Sequence, residues 1–228
     1  MRAEKLKKRI APFFEPPMAV IGSRPPEAKQ IKNPRWYLPQ CAIIELNKPW
    51  EQAMDYRELG ETEINAHLLD GFERQQEVVK CWRKPGGTWI IADDSFIDQW
   101  SMEERKELIM ALKDTVHAGG VVFAAVAGDG LKGFASVEPN PFGSECSYLD
   151  LSNLHVSKEL RGLGIGRQLF LLCVSWARRR GADKLYISAH SAVETQAFYR
   201  AMGCVEAAEY SARHVKKEPY DCQLEYIL

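Results

Sequence analysis

Asn153-Leu154-His155-Val156-Ser157-Lys158-Glu159-Leu160-Arg161-Gly162-Leu163-Gly164-Ile165-Gly166-Arg167 carries the chain from an apolar, strand-like run through a loop with three glycines in five residues into a helical pattern. Glycine at 162, 164 and 166 lets the backbone approach a ligand with no Cβ in the way, and the first N–H groups of a helix have no partners within it. The helix dipole places about half a positive charge at the same point. Arg161 and Arg167 add full charges on either side. The stretch therefore reads as a phosphate cradle.

Spacing narrows the ligand. A nucleoside-triphosphate loop needs Gly-Lys-Ser or Gly-Lys-Thr, and neither follows here. A dinucleotide fingerprint needs a glycine three positions after its second glycine, where this chain has Arg167. It also needs an acidic residue at the end of the next strand, where the chain has His190.

Composition sets wider bounds. With 228 residues there is room for one sizeable core, or one domain plus an extension. Thirty Lys and Arg stand against 31 Asp and Glu, a formal charge of -1, so the balance calls for no nucleic-acid or membrane partner. The charges are unevenly spread. Residues 1–35 hold nine bases and three acids, whereas residues 90–104 hold Asp93, Asp94, Asp98, Glu103 and Glu104 and no base. The six cysteines form no C-x-x-C pair and have no histidine at metal spacing, so no metal site is expected, and Cys173 reads as a buried free thiol. A basic start before Ala11-Pro12-Phe13-Phe14 imitates a leader, but Glu15-Pro16-Pro17 interrupts its apolar region. No run is long and apolar enough to span a bilayer, and the expected location is the cytoplasm.

Prolines break residues 1–60 into short pieces, so this segment reads as an extension packing on the core, with a short strand in 36–46 and a short helix in 50–59. From residue 61 the expected order is a strand at 63–69, a helix at 73–82, and a helix opened by the capping box Ser101-Met102-Glu103-Glu104 and closed by Gly119-Gly120. A hairpin of strands at 121–126 and 132–137 follows. The strand at 148–156 changes phase: Leu149 and Leu151 share one face, yet Leu154 and Val156 keep the opposite phase, as a β-bulge at Ser152-Asn153 would produce. A central strand apolar on both faces fits that pattern equally. Then come the helix after the glycine loop, a strand at 185–189, a second capping box at Ser191-Ala192-Val193-Glu194, a helix with Phe198, Tyr199 and Met202 on it, and strands at 209–215 and 223–228. Arg178-Arg179-Arg180 sits at a helix C-terminus, where cations favour the dipole.

Arg161-Gly162-Leu163-Gly164-Ile165-Gly166-Arg167 between a strand and a helix closely resembles the acetyl-CoA loop of the GCN5-related N-acetyltransferases (GNAT), and 197–204, Ala-Phe-Tyr-Arg-Ala-Met-Gly-Cys, resembles that family's second helix signature. The resemblance covers residues 61–228 and implies an α/β (α+β) fold with a mixed, mostly antiparallel central sheet of about seven strands flanked by helices. It implies acetyl-CoA as co-substrate, direct acetyl transfer to a primary amine, and cofactor contacts from Leu154, His155, Val156, Arg161, Gly162, Leu163, Gly164, Ile165, Gly166 and Arg167. The family often has asparagine ahead of the second helix. Here Ser191-Ala192 stands there, leaving Ser191 to supply that contact or forgo it.

Such chemistry must deprotonate the amine, hold an oxyanion and protonate the leaving thiolate. Tyr199 matches the family's general acid, a phenol having a donor and a pKa near that of the thiol, although it also fits a core tyrosine beside Phe198. For the base, Asp150 stands where relatives place a carboxylate and reads equally as a solvated strand residue. His190 ends a strand with a pKa suited to neutral pH, or is simply a polar strand end. His155, flanked by Leu154 and Val156, reads as structural, and a water relay without a single base stays open. By analogy with the family, the segment after the first strand, about Phe72 to Ser101, lines the acceptor site, and here Trp82, Trp89, Phe96 and Trp100 are interleaved with Asp93, Asp94 and Asp98. Aromatic faces with carboxylates suit a cationic small-molecule amine. Acids near a helix start need no ligand, so those residues also fit a capped helix. A catalytically silent acyl-CoA sensor would keep the loop without Tyr199, and a homodimer is compatible with the chain.

Overall fold

The computed structural model describes residues 54–228 except 129. The extension expected over 1–60 thus lies outside the described residues up to position 53, including the strand placed in 36–46. The described elements are β1 (Asp55–Glu58), β2 (Gln75–Arg83), β3 (Ile90–Gln99), α1 (Met102–His117), β4 (Val121–Ala127), β5 (Gly130–Val137), β6 (Tyr148–Val156), α2 (Ile165–Arg179), β7 (Lys184–Ala189), α3 (Val193–Ala201), β8 (Val205–Glu206), α4 (Ala212–Lys217) and β9 (Cys222–Ile227). Seven strands form one sheet in the order β1-β4-β5-β6-β7-β9-β8, and β2 pairs with β3 alone. Within the large sheet only β6 and β7 run parallel.

Alternation along β4 decides how the sheet is covered. Phe123 and Ala125 face α2, packing with Leu169, Phe170, Cys173 and Val174, while Val122 and Ala124 face α1, packing with Ile109 and Leu112. Both faces of this half are therefore buried, as the unbroken apolar run at 121–126 requires. Ser101 caps α1 as expected, its Oγ accepting from the Glu104 N–H at 3.3 Å while the Glu104 carboxylate accepts from the Ser101 N–H at 2.8 Å. The bulge in β6 is present. Ser136 pairs with Asn153 and Val137 with Leu151, so Ser152 is the extra residue.

Four expected elements differ, each for a local reason. Residues 73–82 form strand β2 instead of a helix. A bulge between Val78 and Lys80 leaves Val78 and Cys81 buried on one face at a spacing of three, which imitates helical periodicity. Residues 63–69 form turns instead of a strand: the Asn65 side chain accepts from the His67 N–H at 2.9 Å and closes the backbone locally. In 209–215 the second half belongs to helix α4, with Lys216 and Lys217 in its last turn. The described part of 50–59 is strand β1, which joins the sheet edge beside β4. The second capping box does not form, because Ala192 occupies the N-cap and the Ser191 hydroxyl is engaged by Arg83.

Candidate active site

Strands β6 and β7 pair only at Tyr148 with Lys184, Leu149 with Leu185 and Asp150 with Tyr186. Beyond that point β6 runs to Val156 and β7 to Ala189, and they share no further ladder. On its other edge β6 stays paired with β5 out to Val156 and Gly133. The bulged Ser152 sits where the parting begins. Among the described residues, the edge of β6 that turns toward β7 thus runs on past Asp150, through Leu154 and Val156, outside the β6–β7 ladder.

The glycine loop lies at the end of this opening. The Arg161 guanidinium donates from Nε to the Val156 carbonyl at 3.2 Å and folds the loop back on the strand. Gly162 and Gly164 have φ of +81° and +86°, and a Cβ on either would meet nothing within 4 Å, so the loop faces open space. Gly164 is the N-cap of α2 and supplies no side-chain cap, leaving the N–H groups at Ile165, Gly166 and Arg167 toward that space. Gly166 serves differently: a Cβ there would touch Phe198 at 3.4 Å and Val156 at 3.6 Å, so it is a point of close approach between α2, α3 and β6. Partial burial, and then the neighbouring Arg74, push the Arg161 guanidinium below its usual pKa.

Tyr199 lies in the cluster between α2 and α3, with Phe198 at 5.1 Å and Phe170 at 6.4 Å between ring centroids. Burial, reinforced by Cys204 and Cys173, raises its phenol well above the ordinary value, so it remains a proton donor at neutral pH. Asp150 is only 5% exposed and lies on the opposite face of the sheet from Leu149 and Leu151. Its Oδ2 accepts from His214 Nε2 at 2.8 Å, while Oδ1 is buried with no hydrogen-bond partner among the described residues. The His214 ring stacks on Tyr186 at 5.4 Å. His190 closes β7. Its Nδ1 accepts from the Ala192 N–H at 3.1 Å, and its ring meets the edge of Phe96 at 5.7 Å. The His155 ring lies against Trp100 and Phe134 at 4.8 and 5.2 Å, on the α1 side of the sheet.

The β2–β3 hairpin crosses from one strand end to the other. Near β6, the Glu73 N–H donates to Ser157 Oγ at 3.0 Å and the Lys158 N–H donates to the Glu73 carbonyl at 3.0 Å. Near β7, the Trp82 N–H donates to the Ser191 carbonyl at 2.7 Å and Arg83 donates to Ser191 Oγ at 2.6 Å. The aromatic and acidic residues expected to gather as an acceptor site are spread along this hairpin. Asp94 is paired with Arg83, and Asp98 with Arg74. Asp93 points outward, 3.9 Å from Lys80. Trp89 sits at the tip, its indole donating to Glu206 at 2.8 Å, whereas Trp100 sits beyond the base, stacked on Phe72. Phe96 approaches the end of β7 through His190, and Trp100 approaches the end of β6 through His155. A depression lined by Phe72, Arg74, Trp100 and Arg105 also lies at the hairpin base.

Two participants had no mark in the sequence. His214 is a lone histidine in a segment that alternates like a strand, and nothing local ties it to a residue 64 positions earlier. Tyr186 looked like a core strand residue. Its hydroxyl donates to Gln223 Oε1 at 2.6 Å and accepts from the Ser211 N–H at 2.9 Å, and burial pushes the phenol up to about 12.

A model of the acetyltransferase (GNAT) family matches residues 72–204, more than half of the chain. Among solved structures, a nourseothricin acetyltransferase is 20% identical with a TM-score of 0.53, covering 76% of this chain and 96% of that one. One assigned as a streptothricin acetyltransferase from Bacillus anthracis, in complex with acetyl coenzyme A, is 16% identical with a TM-score of 0.54, covering 77% and 99%. At such identities the likeness is one of fold. No curated protein matches the chain.

Proposed function

The chain belongs to the acetyltransferase (GNAT) family and uses acetyl-CoA as its co-substrate, and from that premise we propose that it moves the acetyl group directly to a primary amine of a cationic small molecule. The observation that carries this reading is the parting of β6 from β7 after Asp150 and Tyr186, with the glycine loop at its end. An extended pantetheine arm needs backbone partners along a strand edge, and the part of β6 beyond its ladder with β7, which carries Leu154 and Val156, is such an edge. A pyrophosphate needs donors and positive charge, which Arg161, Arg167 and the start of α2 provide. The thioester supplies an activated acyl carbon and a thiolate leaving group.

In this reading the acceptor ammonium gives one proton to Asp150 Oδ1, freeing the nitrogen pair that bonds to the thioester carbon. As the C–S bond breaks, its electron pair goes to sulfur, which takes the Tyr199 proton. The second nitrogen proton restores Tyr199 through water, and the Asp150 proton goes to solvent. The buried, unpartnered Oδ1 supports a cationic acceptor, because an ammonium satisfies it. The hairpin carboxylates Asp94 and Asp98 are already neutralised by arginines, so Asp150 takes over the role first given to them. Free cysteines throughout the described residues fit a reducing compartment, and the cytoplasm is the proposed location.

Thiol release from acetyl-CoA with a panel of polyamines, aminoglycosides and peptide amines tests the reading. Tyr199→Phe should lower kcat about a hundredfold with little change in the KM for acetyl-CoA. Tight acetyl-CoA binding without turnover of any amine would instead identify a silent acyl-CoA sensor.

A further inference from the structure

Asp150 presents an arrangement that its place on β6 alone does not explain. A carboxylate this deeply buried is costly unless its charge is met. One oxygen is met by His214, from a short helix between β8 and β9, and the other by nothing among the described residues. The imidazole is itself held, its side chain only 15% exposed and its ring laid on Tyr186, the residue that pairs with Asp150 across β6 and β7. Three groups thus converge at the last rung before the strands part. Other titratable groups face the pair from each side. Tyr186 lies beneath it on β7, with Glu209 and Tyr210 near that phenol from the loop before α4. From the end of β5, the Glu138 N–H donates to the Asp150 carbonyl and its carboxylate accepts from Ser152 and Thr115.

We infer that His214 is a positioning residue for Asp150. By donating to Oδ2 it fixes the carboxylate rotamer and partly satisfies its charge, so that Oδ1, the oxygen without a hydrogen bond among the described residues, is the one left to take a proton. The inference rests on the amine-acetylation reading above. In His214→Ala the carboxylate loses the donor that orients it, whereas His214→Gln keeps one, so recovery by His214→Gln is a change that loss of packing alone does not produce.

The experiment measures kcat and KM for the full chain, using the best amine of the panel, in the wild type, His214→Ala and His214→Gln. Expected are a fall in kcat of about tenfold or more for His214→Ala, an unchanged KM for acetyl-CoA, and recovery of most of the loss in His214→Gln, which keeps a donor of similar reach. Should His214→Ala fail to fold, His214→Gln against Asp150→Asn serves: Gln retaining most activity while Asn loses it supports the inference, and equal losses overturn it. Turnover by the wild type with a kcat that His214→Ala leaves in place, or a loss that His214→Gln does not recover, overturns it alone. Absence of wild-type turnover with every amine, despite acetyl-CoA binding, overturns the amine-acetylation reading and this inference together.

Discussion

Strand β6 has two edges with different fates. Toward β5 its ladder is kept to the last residue, at the cost of one bulge. Toward β7 the ladder stops after three pairs, although both strands continue. A sheet interior normally satisfies both edges of a strand, since each unpaired buried backbone group costs free energy. The closed edge is thus what the fold needs for stability, and the open edge is where the proposed acyl-CoA site lies. The same apolar side chains, Leu154 and Val156, serve both: they pack toward α2 while their main chain borders the opening.

Making the two edges alike should have the largest effect. Deleting Ser152 removes the extra residue yet leaves Leu151, Leu154 and Val156 facing α2, so the ladder with β5 becomes regular and the core survives. Acetyl transfer should fall by more than about a hundredfold, since displacements of about 1 Å are enough for that, while the melting temperature changes little. Retained activity would mean that the bulge does not shape the open edge. Arg161→Gln comes next, because it removes a charge from the mouth of the opening without touching the ladder. The KM for acetyl-CoA should rise about tenfold at constant kcat, the scale of one charge-assisted hydrogen bond. An unchanged KM would separate the glycine loop from the donor's phosphates.

The smallest effect belongs to the hairpin tip, far from either edge. Burial alone would raise the Glu206 pKa, but hydrogen bonds from Lys84, Tyr210 and Trp89 outweigh it and hold the carboxyl at about 2. A depressed folded pKa gives stability that is fully present above the unfolded value of about 4.3 and lost as pH falls through the folded one. Glu206→Gln should therefore melt slightly below the wild type at pH 7, and the gap should close between about pH 4 and pH 2. A gap that persists at pH 2 would assign the effect to packing instead. Acetyl transfer should be unaffected.

Signals confined to neighbouring residues were legible in the sequence. Ser101 and Glu104 announced a helix start, the glycine loop announced itself, and the phase slip at Ser152-Asn153 located the bulge that marks the opening. The same device misled in β2, where the bulge near Val79 spaced Val78 and Cys81 like a helix. The difference was the company each kept: β6 was flanked by clear strand and helix patterns, whereas β2 had no such frame. What could not be read were pairings across long separations. Arginines 74 and 83 neutralise acids on β3 only because the hairpin folds them together, and His214 meets Asp150 only because α4 returns to the sheet.

The hairpin bears on the opening in a mechanical way. It is fastened near the end of β6 through Ser157 and just past the end of β7 through Ser191. Two diverging beams joined by a cross-tie cannot spread without stretching the tie, and a paired β-ribbon resists extension. The gap between the strands therefore has a width set at both ends by the ribbon.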